Sequence, residues 1–372
     1  MKLIRDMKIL LATPLYPPEI AEPAPYTKEL ATRLSIVHDV TVVAYANDIE
    51  PVPGVTCVQV DKRKPLPVRL AKFVVALWKA GKGKDVIYSE GAVASAFPSL
   101  VVSTARKIPL VVHMREDEAW ERARHLGQTR KSRRAFFAET VRGRLGTVRA
   151  LQRFVLRRAS CIVVPSREFG ECVQRAYGMD PRRLCVNEHP AETPEVLPFS
   201  LGQDPNLVLV LGSPFLQKND AVVVRAVTEV SRTIPNVHLI VTGDGPEIQF
   251  LQAEADRLDA SSRISFVGNV SRAESWALRK TAAVLVVRHE EDELPDAVVR
   301  GYVAGIPVIA IGGSGNNAAL VTDVAGLPEA IAHVLSDTNL QTTLREQGMR
   351  EIRERFSWDA HLRRLETVLH AL

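Results

Sequence analysis

Several features of other protein classes are missing from this sequence of 372 residues. It has four cysteines, none of which forms a C-x-x-C pair, and no nearby histidine completes a zinc-binding pattern. No apolar run approaches the roughly 20 residues that a membrane-spanning helix needs. There is also no Asp-x-Asp motif to hold a metal ion. These absences argue against a disulfide scaffold, a zinc module and a metal-dependent site, and the cysteine usage is typical of a reducing cytosol.

The composition is that of a soluble globular protein. Apolar residues make up 46% of the chain and charged residues 24%, so a large core can be buried. At roughly 100–200 residues per domain, the length predicts two domains. The basic start of the chain and the apolar run after it resemble a signal peptide. That run is short and two prolines follow it, so we interpret it as a first buried strand.

Short apolar runs alternate with amphipathic segments along the first half. This βαβα alternation predicts a parallel sheet covered by helices on both faces. The strand candidates of this half are MKILLA, DVTVVAY, DVIYSE, IPLVVHM and CIVVPS.

The same alternation restarts after residues 187–206, which hold four prolines and no periodicity and are therefore predicted to be a linker. The strand candidates of the second half are LVLVLG, VHLIVTG, ISFVG, AAVLVV and PVIAIGG. Two Rossmann-like domains in tandem are expected, and ligands would bind beyond the carboxyl ends of their strands, in a cleft between the domains.

A set of short segments then follows in a fixed order. After the first strand comes PLYPPEIAEPAPYTKELA, and PLVVHMREDEAWERAR lies further along the first half. The second half contains GSPFLQKND, VTGDGPEIQFL, ISFVGNV, EDELPDAVVRGYVAGIPVIA and RERFSWDAHLRRL. This order resembles that of family-4 retaining glycosyltransferases of the GT-B fold along nearly the whole chain. The resemblance implies an acceptor-side domain over 1–190, a linker over 191–205, a nucleotide-sugar domain over 206–356, and a final helix over 357–372 that crosses back to the first domain.

A transferase of this kind must stabilise a departing diphosphate, which requires cations and backbone N–H groups. The family places Gly-Arg after the first strand of its second domain, and a lysine follows five residues past the arginine. In this sequence Gly212 matches the glycine, Ser213 replaces the arginine, and Lys218 matches the lysine. Lys218 is therefore a candidate phosphate ligand, and an ordinary solvated lysine is the alternative.

The family also carries two glutamates spaced eight apart, one near the donor sugar and one near the ribose. Asp292 stands at the first position, and Arg300 replaces the second. The turn that contains Leu294 would direct its backbone towards the donor before the next helix begins. The substitutions at 213 and 300 together suggest that a positive charge has moved within the site. The alternative is a decayed site in which Arg300 pairs with Asp296.

Four further places bear on the donor and acceptor. The family has Gly-Gly where this chain has Ala21 and Glu22, which adds a carboxylate and removes flexibility. His113 ends a predicted strand where family members contact the donor sugar, and an ordinary strand-end histidine is the alternative. Asp117 and Glu121 are candidates to bind hydroxyl groups of the acceptor. A helix start explains both residues equally well. Gly243 lies in a turn whose main role is structural, and the backbone of this turn would also border the nucleotide base.

The segment from Arg122 to Arg158 is strongly basic, and Glu139 is its only acid. Apolar residues at helical spacing accompany the charges, a pattern typical of contact with anionic lipid. A solvated helix face is the alternative. We do not expect a nucleic-acid partner, because no recognised binding motif accompanies the charge.

The resemblance thus implies a retaining, metal-independent enzyme without a cofactor, which moves a hexose from a nucleotide-diphosphate sugar to a glycan or lipid-linked acceptor. It would be cytoplasmic and able to lie peripherally on the inner face of the membrane. Two alternatives stay open: a scaffold protein that has lost catalysis, and a sugar-nucleotide isomerase of the same fold. The isomerase is disfavoured, because such enzymes lack the closing RERFSWDAH segment.

Overall fold

The computed structural model describes residues 6–129, 131–191, 202–211, 221–244, 246–288, 296–312 and 319–372. The chain divides into two compact units. One comprises Met1–Glu188 with Arg364–Leu372, and the other comprises His189–Arg363.

The first unit is built on a seven-stranded sheet in which every paired strand is parallel. Its strands are β1 (Lys8–Thr13), β2 (Asp39–Ala46), β3 (Val55–Asp61), β4 (Val86–Glu90), β5 (Leu110–His113), β6 (Cys161–Val164) and β7 (Leu184–Val186). They lie in the order β3-β2-β1-β4-β5-β6-β7. The central strands are apolar runs that are buried on both faces, as a parallel sheet under helices requires.

Seven helices of the described ranges belong to this unit. They are α1 (Ala24–Leu34), α2 (Leu66–Ala80), α3 (Ala96–Arg106), α4 (Glu118–His125), α5 (Arg133–Phe137), α6 (Gly143–Leu156) and α7 (Arg167–Tyr177). Their apolar faces and the strands form one core, which includes Phe73, Leu77, Val112, Phe169 and Tyr177.

The second unit repeats this plan with a six-stranded parallel sheet. Its strands are β8 (Asp204–Leu211), β9 (His238–Thr242), β10 (Ile264–Phe266), β11 (Ala282–Arg288), β12 (Val308–Ile311) and β13 (Leu320–Thr322). They lie in the order β10-β9-β8-β11-β12-β13. The two sheets therefore share one winding, which confirms the predicted Rossmann-like character of both halves.

The described helices of the second half are α8 (Ala221–Val230), α9 (Pro246–Arg257), α10 (Arg272–Thr281), α11 (Asp296–Ala304), α12 (Leu327–Ser336), α13 (Thr338–Glu351) and α14 (Trp358–His370). Successive residues of β11 enter two different cores. Val284 and Val286 belong to one core, and Leu285 and Val287 belong to the other. Both faces of the sheet are thus covered. None of the helices in the described ranges combines the length and the apolar character of a transmembrane segment.

The last helix contributes its final turns to the first unit. There, Glu366 Oε1 lies 3.8 Å from His38 Nε2. Arg364 forms an ion pair with Glu188 at 3.0 Å and donates a hydrogen bond of 3.1 Å to Asn187 Oδ1. These polar contacts fix the end of the chain to the residues that close the first sheet.

Candidate functional site

The winding of each sheet reverses at one point, between β1 and β4 in the first unit and between β8 and β11 in the second. Doubly wound sheets bind their ligands beyond the carboxyl ends of the strands at such a switch point. The residues that end these strands and their neighbours are therefore the candidate site residues of each unit.

In the first unit, β4 ends at Glu90 and β5 ends at His113, and the two residues are register partners. The Nδ1–H of His113 donates to the Glu90 carboxylate, at 2.9 Å from Oε2 and 3.1 Å from Oε1. Glu90 is 3% exposed and His113 is 1% exposed. The carboxylate therefore fixes the tautomer and the orientation of the ring. His113 was a predicted site residue, whereas Glu90 was missed, although an acid that ends a buried strand is a readable signal.

Two tyrosines enclose this pair. The hydroxyls of Tyr26 and Tyr88 lie 3.2 Å apart, and their rings lie 5.2 and 5.9 Å from the His113 ring. Burial raises the pKa of both phenols well above its ordinary value, and the nearby Glu90 carboxylate raises it further. Both hydroxyls therefore stay neutral around Glu90 and His113, and this end of the sheet is rich in hydroxyl groups.

Glu22 lies in the loop that precedes α1, where the family pattern has glycine. Its carboxylate forms an ion pair of 3.0 Å with Arg115, which follows β5. About a third of each side chain is exposed. Arg115 thus offsets the charge that Glu22 brings, and sequence reasoning missed it because only the fold brings these two loops together.

Asp117 caps the start of α4. Its carboxylate accepts hydrogen bonds from the Trp120 backbone N–H at 2.8 Å, from Gln152 Nε2 at 3.3 Å and from the Tyr177 hydroxyl. Asp117 is fully buried, and burial raises its pKa while the Tyr177 hydrogen bond lowers it. The contacts are those of a helix cap in the core. Glu121 is exposed on the same helix.

Glu118, between these two predicted residues, has a role that the sequence did not reveal. Its Oε1 accepts the backbone N–H groups of Ala92 and Val93, at 2.9 and 2.7 Å. Consecutive N–H groups after a strand are the usual phosphate-binding device of such sheets. In this unit that device already holds a carboxylate of the chain itself.

In the second unit, the described residues at the carboxyl ends of the strands include two arginines. Arg288 is the last residue of β11, and Arg300 lies on α11; both are partly buried. Arg300 was predicted from the sequence. Arg288 was missed, although a cation that closes the apolar run AAVLVV is a visible signal.

Gly243 follows β9 with a φ of 108°, a conformation that favours glycine. Its N–H donates to the carbonyl of Gly268 at 2.7 Å, so a structural role is established for this turn. The remaining predicted donor residues lie outside the described residues: Gly212, Ser213, Lys218, Asp292 and Leu294.

The cations of the basic segment Arg122–Arg158 have many internal partners. Arg149 donates to the carbonyls of Phe136 and Phe137 at 3.2 and 3.1 Å. Arg153 and Arg157 each donate to a carbonyl near the end of α7 at 2.9 Å. These arginines therefore hold the segment to its neighbours, a use of charge that periodicity cannot reveal.

The family comparisons agree with this geometry. A model described as "Glycosyl transferase 4-like domain" matches residues 22–188. A second model, "Glycosyl transferases group 1", matches residues 197–350. The two matches follow one another along the chain. The first covers β2–β7 of the first sheet, and the second covers every strand of the second sheet.

Curated relatives match over part of their length. The chain is similar to the lipopolysaccharide core biosynthesis glycosyltransferase LpsD of Rhizobium meliloti, with 31% identity over 41% of this chain and 46% of LpsD. It is also similar to a GDP-mannose-dependent phosphatidylinositol monomannoside mannosyltransferase of Mycolicibacterium smegmatis, with 23% identity over 46% of this chain and 49% of that enzyme. The chain thus spans about half the length of the curated relatives that it matches.

Solved structures match over nearly the whole chain. HepE of Anabaena, solved with UDP and glucose, superposes with a TM-score of 0.62 at 15% identity, over 98% of this chain and all of HepE. The lipopolysaccharide glycosyltransferase WaaG gives a TM-score of 0.58 at 16% identity, over 97% of this chain and 99% of WaaG. At these identities the likeness shows the fold. With both domain models matched and this fold, the chain belongs to the glycosyltransferases, resembles their family 4 and has the two-domain GT-B architecture.

Proposed function

We propose that the protein transfers a sugar from a nucleotide-diphosphate donor to a glycan or lipid-linked acceptor, with retention of the anomeric configuration and without a metal ion. The observation that carries this proposal is the pairing of Glu90 with His113 at the switch point of the first sheet. A buried, oriented histidine surrounded by hydroxyl groups suits the recognition of a sugar. The two matched domains and the glycosyltransferase functions of the relatives support the same reaction class.

The charges of the two units suggest which unit binds the diphosphate of the donor. A departing diphosphate needs cations, and the second unit carries Arg288 and Arg300 beside the segment that holds Asp292. Lys218 would add a further charge at the phosphates. Such cations can replace a metal ion in stabilising the leaving group.

His113 and Asp292 would bind hydroxyls of the transferred sugar, because hydroxyls are donors and acceptors at once. Glu121 stays a candidate on the acceptor side, whereas the buried carboxylate of Asp117 is used as the cap of α4. Glu22, paired with Arg115, would border the acceptor as a neutral ion pair. The acceptor attacks on the face from which the diphosphate leaves, and retention follows from this geometry.

A lipid-linked acceptor would bring the protein to the inner face of a membrane. The basic segment Arg122–Arg158 is the contact that the sequence suggests, and a cytoplasmic enzyme attached peripherally at that face is the localisation that we propose. LpsD acts in lipopolysaccharide core biosynthesis and the mannosyltransferase acts on a phosphatidylinositol monomannoside, and both support an acceptor of this class.

The reaction can be followed by proton NMR with UDP-, GDP- and ADP-sugars, alone and with short glycan acceptors. We expect free nucleoside diphosphate together with a product of the same anomeric configuration as the donor. An inverted product would contradict retention, and activity that disappears with EDTA and returns with Mg²⁺ would contradict metal independence. The variant His113→Ala should lose turnover, while the control Glu229→Gln, at an exposed position of α8, should keep the parent rate.

A catalytically inactive scaffold is the second candidate, and the departures at Ser213, Arg300 and Ala21-Glu22 favour it. In that case no donor would be consumed in the presence or absence of an acceptor. Thermal-shift measurements then separate the two proposals, because a ligand raises the melting temperature only of a folded state that binds it.

A further inference from the structure

The loop between β4 and α3, residues 91–95, begins directly after Glu90. Gly91 opens the loop with a φ of 80°, a left-handed conformation that favours glycine. The N–H of Gly91 donates to the carbonyl of His113 at 2.9 Å, which fixes the start of the loop to the end of β5. The backbone of this loop therefore touches both members of the Glu90–His113 pair.

Two buried hydroxyl groups fix the other end of the loop. The hydroxyl of Ser95 donates to the carbonyl of Glu90, and the hydroxyl of Ser89 donates to that of Ser95 at 3.0 Å. Ser89, Ser95 and Glu90 are all buried. The loop thus returns to the strand from which it started, and its position determines where the backbone of Glu90 lies.

The middle of the loop is held by a side chain from α4. Glu118 Oε1 accepts the N–H groups of Ala92 and Val93 at 2.9 and 2.7 Å. A Cβ at position 91 would lie 3.2 Å from the same oxygen, so the carboxylate packs directly against the loop. The other oxygen, Oε2, lies 3.4 Å from the guanidinium of Arg122. One carboxylate therefore joins the loop to α4.

The first turn of α4 is a fixed support for this carboxylate. Asp117, which precedes Glu118, is fully buried and accepts hydrogen bonds from the Trp120 N–H, from Gln152 and from the Tyr177 hydroxyl. These bonds connect the start of α4 to α6 and to the end of α7. The Glu118 side chain is 17% exposed. Glu118 thus reaches the loop from a position that the core of the unit determines.

We propose that Glu118 is a positioning residue of the transferase site, which holds the loop after β4 and thereby keeps the Glu90 carboxylate against His113. This inference rests on the proposed function, in which His113 binds the transferred sugar. Without the carboxylate, the N–H groups of Ala92 and Val93 lose their acceptor, and the loop has to move to satisfy them. A displacement of about 1 Å in a site of this kind lowers a rate by about 100-fold.

Three variants of Glu118 test the proposal. Glu118→Ala should lower kcat by about 10- to 100-fold and change KM less. Glu118→Gln keeps an oxygen acceptor at the same place, and its kcat should stay within about three-fold of that of the parent. Glu118→Asp keeps the charge but withdraws it by about 1.5 Å, one C–C bond, so its kcat should lie between those of the other two variants. It keeps the proposal testable if Glu118→Ala does not fold.

The matched control is Glu168→Ala. Glu168 is an exposed acid in the first turn of α7, which follows β6 as α4 follows β5. Its removal takes the same charge from the start of a neighbouring helix, and the kcat of this variant should equal that of the parent. Circular dichroism and the melting temperature establish that each variant is folded.

Chemical rescue separates positioning from a general loss of stability. Glu118→Ala leaves a space of the size of a carboxylate beside the N–H groups of Ala92 and Val93 and near Arg122, an arrangement that attracts small anions. Formate should enter this space, accept the same hydrogen bonds and restore most of kcat in a saturable manner. Chloride at the same ionic strength should not, because it cannot bridge both N–H groups and Arg122 with two oxygens.

The ring nitrogens of His113 give a readout that needs no turnover. In the parent, ¹⁵N NMR should show the tautomer that is protonated at Nδ1, which Glu90 selects. Glu118→Ala should populate both tautomers, and formate or the Glu118→Gln change should restore the single one. If the parent consumes no donor, the proposed transferase reaction fails while this measurement still tests the positioning of His113.

Two results would overturn the assignment. If Glu118→Ala has the kcat and the His113 tautomer of the parent, the loop stays in place without Glu118. If kcat falls in Glu118→Ala and neither formate nor Glu118→Gln restores it, while the tautomer of His113 is unchanged, Glu118 contacts the substrate directly and does not act through His113.

Discussion

The two sheets have the same winding, yet the described residues at their switch points differ in charge. At the first, Glu90 holds His113 and Glu118 occupies the N–H groups of Ala92 and Val93. At the second, Arg288 ends β11 and Arg300 lies on α11. A site that already contains carboxylates repels phosphate, and a site with arginines attracts it. One fold can therefore assign hydroxyl recognition to one unit and diphosphate recognition to the other through the residues at its strand ends.

The largest effect is expected at the Glu90–His113 pair. The change Glu90→Ala removes the acceptor of a buried imidazole and leaves a cavity, so it should reduce the free energy of unfolding by about 3–5 kcal/mol. Glu90→Gln keeps the shape and an acceptor oxygen, and should cost less. Urea denaturation monitored in the first unit measures both, and a double-mutant cycle with His113→Ala isolates the coupling.

The Glu90–His113 pair is also expected to affect the rate of catalysis. If Glu90 positions His113, Glu90→Gln should lower kcat more than it changes KM and should alter the pH profile of the rate. Equal stability of Glu90→Ala and the parent, together with unchanged kinetics in Glu90→Gln, would show that the pair is neither structural nor functional.

The next effect concerns the second switch point. Arg300→Glu should weaken nucleotide binding by about 1.5–3 kcal/mol, or roughly 10- to 150-fold, because it removes a charge-assisted contact and adds a repulsive carboxylate. Restoring both family residues, Ser213→Arg with Arg300→Glu, should recover more affinity than either single change. Calorimetric titration with the nucleotide that binds the parent measures all three variants.

The matched control is Arg232→Glu. Arg232 is exposed between α8 and β9, at the amino ends of the strands, and so lies at the opposite edge of the sheet. This variant should bind as the parent does. If Arg232→Glu weakened the affinity as much as Arg300→Glu, a general effect of net charge would replace the local role of Arg300.

The smallest effect is a pH dependence at Asp117. Burial raises the pKa of this carboxyl in the folded state. The unfolded chain therefore releases the proton first, and the contribution of Asp117 to stability falls as pH rises from about 4 towards the raised pKa. The Asp117→Asn variant has no ionisable group at this position, so its stability does not fall in this way. The free energy of unfolding of the parent minus that of the variant should therefore decrease as pH rises across that window.

Thermal unfolding of both proteins between pH 4 and 7, a window that begins near the ordinary carboxyl pKa, measures this difference. Gln128→Ala, at an exposed position just after α4, serves as the control. It removes no ionisable group, so its stability difference from the parent should be independent of pH. A parent advantage that grows with pH would mean that the hydrogen bonds from Tyr177 and Trp120 outweigh burial.

The sequence predicted the central strands of both sheets, because each is a continuous apolar run. It missed β3, β7 and β13, which are all edge strands. Edge strands are partly exposed, and the residues of β3 and β13 are mostly of intermediate burial. They therefore lack the apolar run that marks a buried parallel strand, and composition alone does not separate them from loops.

The candidate site was predicted less completely than the fold. His113 and Arg300 could be selected by position in a family pattern. Their neighbours Glu90 and Arg115 could not, since parallel register and the meeting of two loops bring these residues to the site. The basic segment Arg122–Arg158 shows the same limit, because charge in a sequence does not reveal which arginines already donate to carbonyls. Only the fold shows that Arg149, Arg153 and Arg157 do so.

The central claim is that the altered donor site still binds a nucleotide diphosphate. Isothermal titration calorimetry of the unmodified chain with UDP, GDP and ADP tests it most directly. The division of charge between the two switch points predicts that one of these nucleotides binds with a Kd below about 1 mM, equivalent to a binding free energy stronger than about −4.1 kcal/mol. Absence of binding by all three, in a chain shown to be folded, would contradict the transferase proposal and favour the scaffold.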